Sequence, residues 1–320
     1  MFAKITGVGG YLPSKRILND DFKQFIETSD EWIQQRVGIQ SRYFADEETT
    51  LSMAFEASKI AIDNAGINID DIGAIIVATS TGDYIMPSTA CLLQHELGAK
   101  TVPAFDIAAA CSGFIYALDI ASKYVESGTA KHVLVVGAER MSRTLDFNDR
   151  STCILFGDGA GAVILSQSKT PGIRSSVLHS DGKDRDLLYI KNSFDQPLYQ
   201  TGNQAYPIQM EGNKVFKSAV SQLHSLVQEL LDKAGLSASD IDWLVPHQAN
   251  IRILEATAKK LHMPVEKVVT TIQDHGNTSA ASVPLALYEA IQSGKIKKGD
   301  TLLLEAFGAG FVWGGQIIDL

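Results

Sequence analysis

The chain reads as an α/β protein made of two related halves. Three observations carry this: short apolar strands alternate with amphipathic helices, one helix–glycine–strand segment occurs twice, and two glycine turns recur in the same order. Strand-like apolar runs fall at 75–78, 133–136, 163–165, 243–245 and 301–304. Helical patterns fall at 51–65, 111–126, 214–234, 251–261 and 282–292. Such alternation predicts layered, largely parallel sheets.

The repeat is explicit in the letters. Residues 62–76 read IDNAGINIDDIGAII and residues 231–245 read LDKAGLSASDIDWLV. Asp63, Ala65, Gly66, Asp71 and Ile72 coincide with Asp232, Ala234, Gly235, Asp240 and Ile241. Each copy is a helix end, a glycine cap, a polar turn and a buried strand. Helices then run into Ser127-Gly128 and into Ser293-Gly294. The turn Phe156-Gly157-Asp158-Gly159 is echoed by Phe307-Gly308-Ala309-Gly310. The halves meet near residues 167–175, so the chain divides into 1–170 and 171–320.

Composition removes several classes of function. The 320 residues are 45% hydrophobic and 20% charged, with a formal net charge of −9. That balance disfavours general nucleic-acid binding, which needs a basic footprint. No apolar run reaches the roughly 18–20 residues of a membrane span. The longest, 107–118, is interrupted at Ser112 and bounded by Asp106 and Asp119. The N-terminus shows no secretory apolar segment, so a cytoplasmic protein is expected. Three cysteines without a C-x-x-C pair, and seven scattered histidines, predict no disulfide framework, no metal site and no cofactor.

The repeat also directs attention to three side chains. Superposing the two Ser-Gly helix ends sets Cys111, in AAACSGF, against Asn277, in HGNTSA. Both are then expected at the start of matching helices. His247 follows the strand 243–245, and strand ends and helix starts are where open α/β sheets carry reactive groups. A helix N-terminus offers free N–H groups and partial positive charge, which predicts a lowered thiol pKa and an oxyanion site at Cys111. Cys91 and Cys153 read as packing residues. A lone histidine after a strand, or an asparagine before a helix, is ordinarily structural. The trio together, not any member, points to nucleophilic chemistry on a thioester.

The segments AAACSGF, VPHQANIRI, HGNTSAASVP and LLLEAFGAGFVWG, with TSDEWIQQRVGI and MEGNKVFK, resemble the beta-ketoacyl-acyl carrier protein synthase III family of fatty acid synthesis. The likeness spans about residues 3–318. It implies the thiolase fold, two duplicated α/β halves packed as αβαβα layers. It implies a catalytic Cys111, His247 and Asn277, acting on a short acyl-CoA and then on malonyl-acyl carrier protein. Backbone N–H groups of Cys111 and Ala309 would receive an oxyanion; the family often has glycine where Ala309 stands. Thr28, Trp32, Arg36, Arg150, Gly212, Phe216 and Asn250 would bind CoA. Trp32 and Arg36 share a helix face, and Thr28-Ser29-Asp30-Glu31 fits a capping box before them. Gln248, Ala249, Asn250, Ile251, Arg252, Lys259 and Lys260 would meet the carrier protein. Met86 and Phe307 would gate the acyl pocket, and a homodimer is implied. Three other readings stay open at this level: a related condensing enzyme of secondary metabolism, a papain-like hydrolase and a silent acyl-binding protein.

Overall fold

The computed structural model describes residues 1–192 and 206–320. Its first sheet has β1 (Phe2–Tyr11), β4 (Ile72–Ala78), β5 (Ala104–Ile107), β6 (His132–Arg140) and β7 (Asp158–Ser168), in the order β1-β7-β6-β4-β5. A second has β8 (Ile173–Ser180), β11 (Trp243–Pro246), β12 (Thr301–Gly308) and β13 (Val312–Asp319), in the order β11-β12-β13-β8. Two small ribbons pair β2 (Lys15–Leu18) with β3 (Ser41–Phe44), and β9 (Leu188–Tyr189) with β10 (Gln209–Met210). The large sheets are mixed rather than largely parallel. β7 runs antiparallel to both β1 and β6, while β4 is parallel to β6 and β5. Likewise β13 is antiparallel to β8 and β12, while β12 is parallel to β11. Strands β8, β13, β12 and β11 thus repeat the order and directions of β1, β7, β6 and β4.

Helices sort into three layers by which strand face they cover. α2 (Thr50–Ala65) and α3 (Thr89–Glu96) cover the outer face of the first sheet, packing on Ile75, Val77 and Leu134. α4 (Gly113–Glu126) and the last helix, α8 (Ser282–Gln292), lie between the sheets. They pack on Ala74, Ile76 and Val135 on one side and on Leu302, Leu304 and Ala306 on the other. α5 (Gly212–Ala234) and α6 (Ile251–Lys260) cover the outer face of the second sheet, on Leu303 and Ile317. The period-two alternation of each strand feeds two cores, and the layers read αβαβα. Two further helices among the described residues are short, α1 (Asp30–Val37) and α7 (Ile272–His275).

The repeated helix ends close as their letters imply. Gly66 and Gly235 both take the left-handed conformation, φ 63° and 66°, after α2 and α5. The central helices correct the register of the repeat. Each is preceded by one tight turn, Ala110–Ser112 before α4 and Ser279–Ala281 before α8. The first residue of each turn has positive φ, 44° at Ala110 and 49° at Ser279. Cys111 therefore corresponds to Ala280, not to Asn277. α4 has 14 residues and α8 has 11, so superposing their C-terminal ends displaces their starts by one turn.

Glycines let these central segments touch. A Cβ on Gly137 of β6 would stand 2.3 Å from the Ala280 carbonyl oxygen, and one on Gly308 of β12 would stand 2.8 Å from the Cys111 nitrogen. No helix among the described residues is long and apolar enough to cross a membrane.

Candidate active site

Cys111, His247 and Asn277 line one cavity of about 960 Å³. Cys111 sits in the tight turn that opens α4, and its backbone abuts Gly308. His247 follows β11 directly, its N–H bonded to the Glu305 carbonyl at 2.8 Å. Asn277 lies between α7 and the turn before α8. Its N–H donates to the Leu155 carbonyl at 2.9 Å, and its carbonyl accepts from the Gly157 N–H at 3.0 Å. The three come from different elements, yet backbone hydrogen bonds hold two of them and close packing holds the third.

The electrostatics are those of a neutral pair. The Cys111 sulfur stands deep among protein atoms, and this desolvation pushes its thiol up to about 11. A Ser279 hydrogen bond works against the rise and Glu139 adds to it. The expectation of a lowered thiol pKa is therefore overturned: one turn of unpaired N–H groups does not outweigh burial. Burial drives the His247 imidazole down to about 4, so it is neutral at pH 7. Charging either partner means placing an ion in a poorly solvated site.

The Asn277 amide is oriented by its neighbour. Its Oδ1 accepts from the Ser279 backbone N–H at 2.9 Å. That leaves the amide N–H₂ as the free donor. Ala309 also lines the cavity, at the turn after β12. It is not among the residues with positive φ, so a Cβ there meets no backbone penalty.

The cavity reaches the surface at a cationic end. Arg36, Arg150 and Arg252 line it with Trp32, Gly212, Phe216, Ala249 and Asn250. The Arg150 guanidinium lies 4.5 Å and that of Arg36 5.7 Å from the Trp32 ring centroid. Arg252 donates to the Gln35 carbonyl at 3.1 Å, tying α6 to α1.

Several expected site residues stand elsewhere. Gln248 is buried, donating to Pro246 and Val269 carbonyls and accepting from the Thr271 and Ile272 N–H groups. It braces the loop and presents no side chain to a partner. Ser29, not Thr28, caps α1, accepting from the Trp32 N–H at 3.1 Å, and there is no reciprocal box; Thr28 itself is not part of the cavity wall. Ile251 packs over Gly38, and Lys259 and Lys260 are exposed at the end of α6, away from the cavity. Phe307 lines the cavity, but Met86 is 80% exposed and its neighbour Ile85 takes the wall position. Cys153 is a core residue as expected, whereas Cys91 is exposed on α3.

Comparison with known proteins agrees with this geometry. Residues 105–182 match the family 3-oxoacyl-[acyl-carrier-protein] synthase III, and residues 231–320 match its C-terminal part. The beta-ketoacyl-[acyl-carrier-protein] synthase III of Methylococcus capsulatus is 53% identical, covering 99% of this chain and 98% of the relative. The chain belongs to the 3-oxoacyl-[acyl-carrier-protein] synthase III family. A crystal structure of the synthase III from Aquifex aeolicus aligns with a TM-score of 0.94 at 46% identity, covering 99% of this chain and 100% of that one. A priming beta-ketosynthase from a polyketide biosynthetic pathway aligns at 0.95 and 40% identity, covering 100% and 96%.

Sequence reasoning missed two side chains of this synthase III site. Ser279 lines the cavity beside Cys111, and Glu139 is buried behind it. Ser279 lay unread inside the HGNTSA segment. Glu139 lies near the end of β6, beyond the apolar run 133–136 that marked the strand.

The neutral pair predicts a late thiolate. The ultraviolet thiolate absorbance of the protein, minus that of Cys111→Ala, should be absent at about pH 7.5 and grow only above about pH 9. A thiolate already full at neutral pH would indicate a thiolate–imidazolium pair instead.

Proposed function

We propose that this family member catalyses the first condensation of type II fatty acid synthesis. A short acyl-CoA, acetyl-CoA foremost, and malonyl-acyl carrier protein give 3-oxoacyl-acyl carrier protein, CO₂ and CoA. The observation that carries the reading is one cavity with a sulfur, an imidazole and a carboxamide at depth and an indole with three guanidiniums at its exit. The exit suits an adenine ring and phosphates, and the depth suits a thioester.

The residues divide the work in two stages. Cys111 attacks the acyl-CoA carbonyl, and the acyl group passes to sulfur as CoA leaves. Backbone N–H groups of Cys111 and Ala309 receive the oxyanion. Malonyl thioester then enters the same cavity. Neutral His247 and the oriented Asn277 amide donate to its thioester oxygen as CO₂ departs and the enolate forms. The enolate carbon attacks the acyl-cysteine carbonyl, and the thiol is restored. Burial, which holds the His247 imidazole at about 4, makes it neutral at pH 7 before substrate enters.

Ala249, Asn250, Ile251, Arg252, Lys259 and Lys260 form the approach for the acidic carrier protein, acting mainly on encounter rate. The two halves, 1–170 and 171–320, work as one unit, since the cavity takes walls from both. We place the protein in the cytoplasm as a homodimer, in which Met86, exposed in a single chain, reaches the partner's acyl pocket.

Two experiments test this reading. Asn277→Ala should slow malonyl decarboxylation about 100-fold or more while Cys111 acetylation by acetyl-CoA stays within a few-fold. The half-reactions are followed by CO₂ release and intact mass. Equal loss in both would remove the assigned roles. Charge reversal at Arg252 and Lys259 should raise the KM for the carrier-protein substrate and flatten its dependence on salt. An unchanged salt dependence would remove these cations from the approach.

A further inference from the structure

The nucleotide end proposed for the cavity is assembled from two separate segments. Trp32 and Arg36 stand on α1, and Arg150, Ser151 and Ile154 belong to the turns at 149–156. Among the described residues no backbone hydrogen bond joins α1 to those turns. Side chains therefore set the 4.5 Å spacing of the Arg150 guanidinium from the Trp32 ring. One tie is exposed: Arg150 Nη1 donates to the Glu27 carbonyl at 3.1 Å. The other is buried.

The centre of the buried tie is Arg42, on β3, with no exposed surface. Its Nη1 donates to Asn19 Oδ1 at 2.8 Å, and its Nη2 donates to the Ile154 carbonyl at 2.6 Å. The guanidinium carbon lies 4.7 Å from the Phe22 ring centroid. Asn19, just after β2, is buried as well. Its Nδ2 donates both to Asp30 Oδ1 at 2.8 Å and to the Ile39 carbonyl at 2.7 Å. Asp30 is the first residue of α1, and Ile39 follows the glycine that caps its end. One amide thus holds both ends of that helix. Its orientation is fixed, because the reversed amide would set oxygen against the Asp30 and Ile39 oxygens. Asp30 Oδ2 also accepts from Gln34 Nε2 at 2.6 Å, one turn along α1. The chain of bonds runs from α1 through Asn19 and Arg42 to the turns that carry Arg150.

We propose that Arg42 is a positioning residue for the nucleotide end of the acyl-CoA donor. Its fork locks α1, through Asn19, to the 149–156 turns and so fixes how Trp32 and Arg150 face each other. The hydrogen bonds of Arg42 go to neutral oxygens, and desolvation of a guanidinium offsets much of what such bonds contribute. A planar fork with donors aimed at two segments supplies a geometry that the single ammonium of a lysine does not. Arg42 lines no part of the cavity and acts only through these partners. The inference rests on the proposed acyl-CoA chemistry, and it concerns how the donor is held, not the attack of the sulfur.

The test compares two acetyl donors, acetyl-CoA and the acetyl thioester of N-acetylcysteamine, which has no nucleotide. Acetylation of Cys111 is followed by site-resolved mass spectrometry over a range of donor concentrations. Two variants cut the tie at different points. Arg42→Lys keeps the buried charge and loses the fork. Asp30→Ala removes a partly exposed acceptor and leaves the core in place, so it reports even if the first variant folds poorly. In both, the KM for acetyl-CoA should rise about fivefold or more with kcat within about twofold, the mark of weaker hold on the donor. Acetylation by the short thioester should stay within about twofold of wild type. Equal slowing with both donors would make the tie merely structural and overturn the proposal. A wild type that favours acetyl-CoA, with variants that favour it as strongly, would also overturn it while leaving the acyl-CoA reading intact. A wild type that uses both donors equally well would reject the nucleotide seat itself, and the positioning role with it.

Discussion

The site depends on backbone meeting backbone where the two halves join. Gly137 and Gly308 supply the contact because each lacks a Cβ, and Gly113 allows close packing within the first half. A methyl on Gly113 would press on the Ala78 Cβ at 3.0 Å, and one on Gly137 would strike the Ala280 carbonyl. The turns before α4 and α8 are thereby pushed together, one bearing Cys111 and the other Ser279. Asn277 is carried along, because its amide oxygen is tied to the Ser279 N–H. Protein interiors tolerate little added volume, so such contacts fix positions closely.

Burial then decides the chemistry. The same packing that aligns the side chains strips water from them. Sulfur and imidazole respond in opposite directions, thiol upward and imidazolium downward, and both end uncharged at neutral pH. A neutral imidazole and an oriented amide are donors suited to oxygen that gains charge only during reaction. The counterpart of this gain is a nucleophile that needs help to ionise. Positive charge is kept to the far end of the cavity, where Arg36, Arg150 and Arg252 stand in contact with solvent.

Much of this was legible in the letters. Helical and strand periods located α2, α4, α5, α6 and α8 and the central strands, and the two glycine-capped helix ends exposed the duplication. Strands β1, at the edge of the first sheet, and β13, inside the second, were not seen. Both are interrupted by glycine pairs, Gly9-Gly10 and Gly314-Gly315, which lower strand propensity while allowing close approach of neighbours. Without them the sheets looked parallel. The trio was found, but for a reason partly at fault: Cys111 and Asn277 are not equivalent, because α8 is three residues shorter than α4. Gln248 was expected to meet the carrier protein, yet its amide bonds four backbone groups. Burial cannot be read locally, and so the thiol shift was given the wrong sign.

The central claim is that the halves position the Cys111 backbone by direct contact. Gly308→Ala tests it with a single methyl, placed 2.8 Å from the Cys111 nitrogen and 3.2 Å from the Ser112 nitrogen. The measurement is the rate of Cys111 acetylation per folded molecule, with the melting temperature recorded alongside. The account predicts a loss of about 100-fold in a protein that remains folded, because the oxyanion donor and the sulfur move together. Acetylation at the wild-type rate in the alanine variant would contradict it.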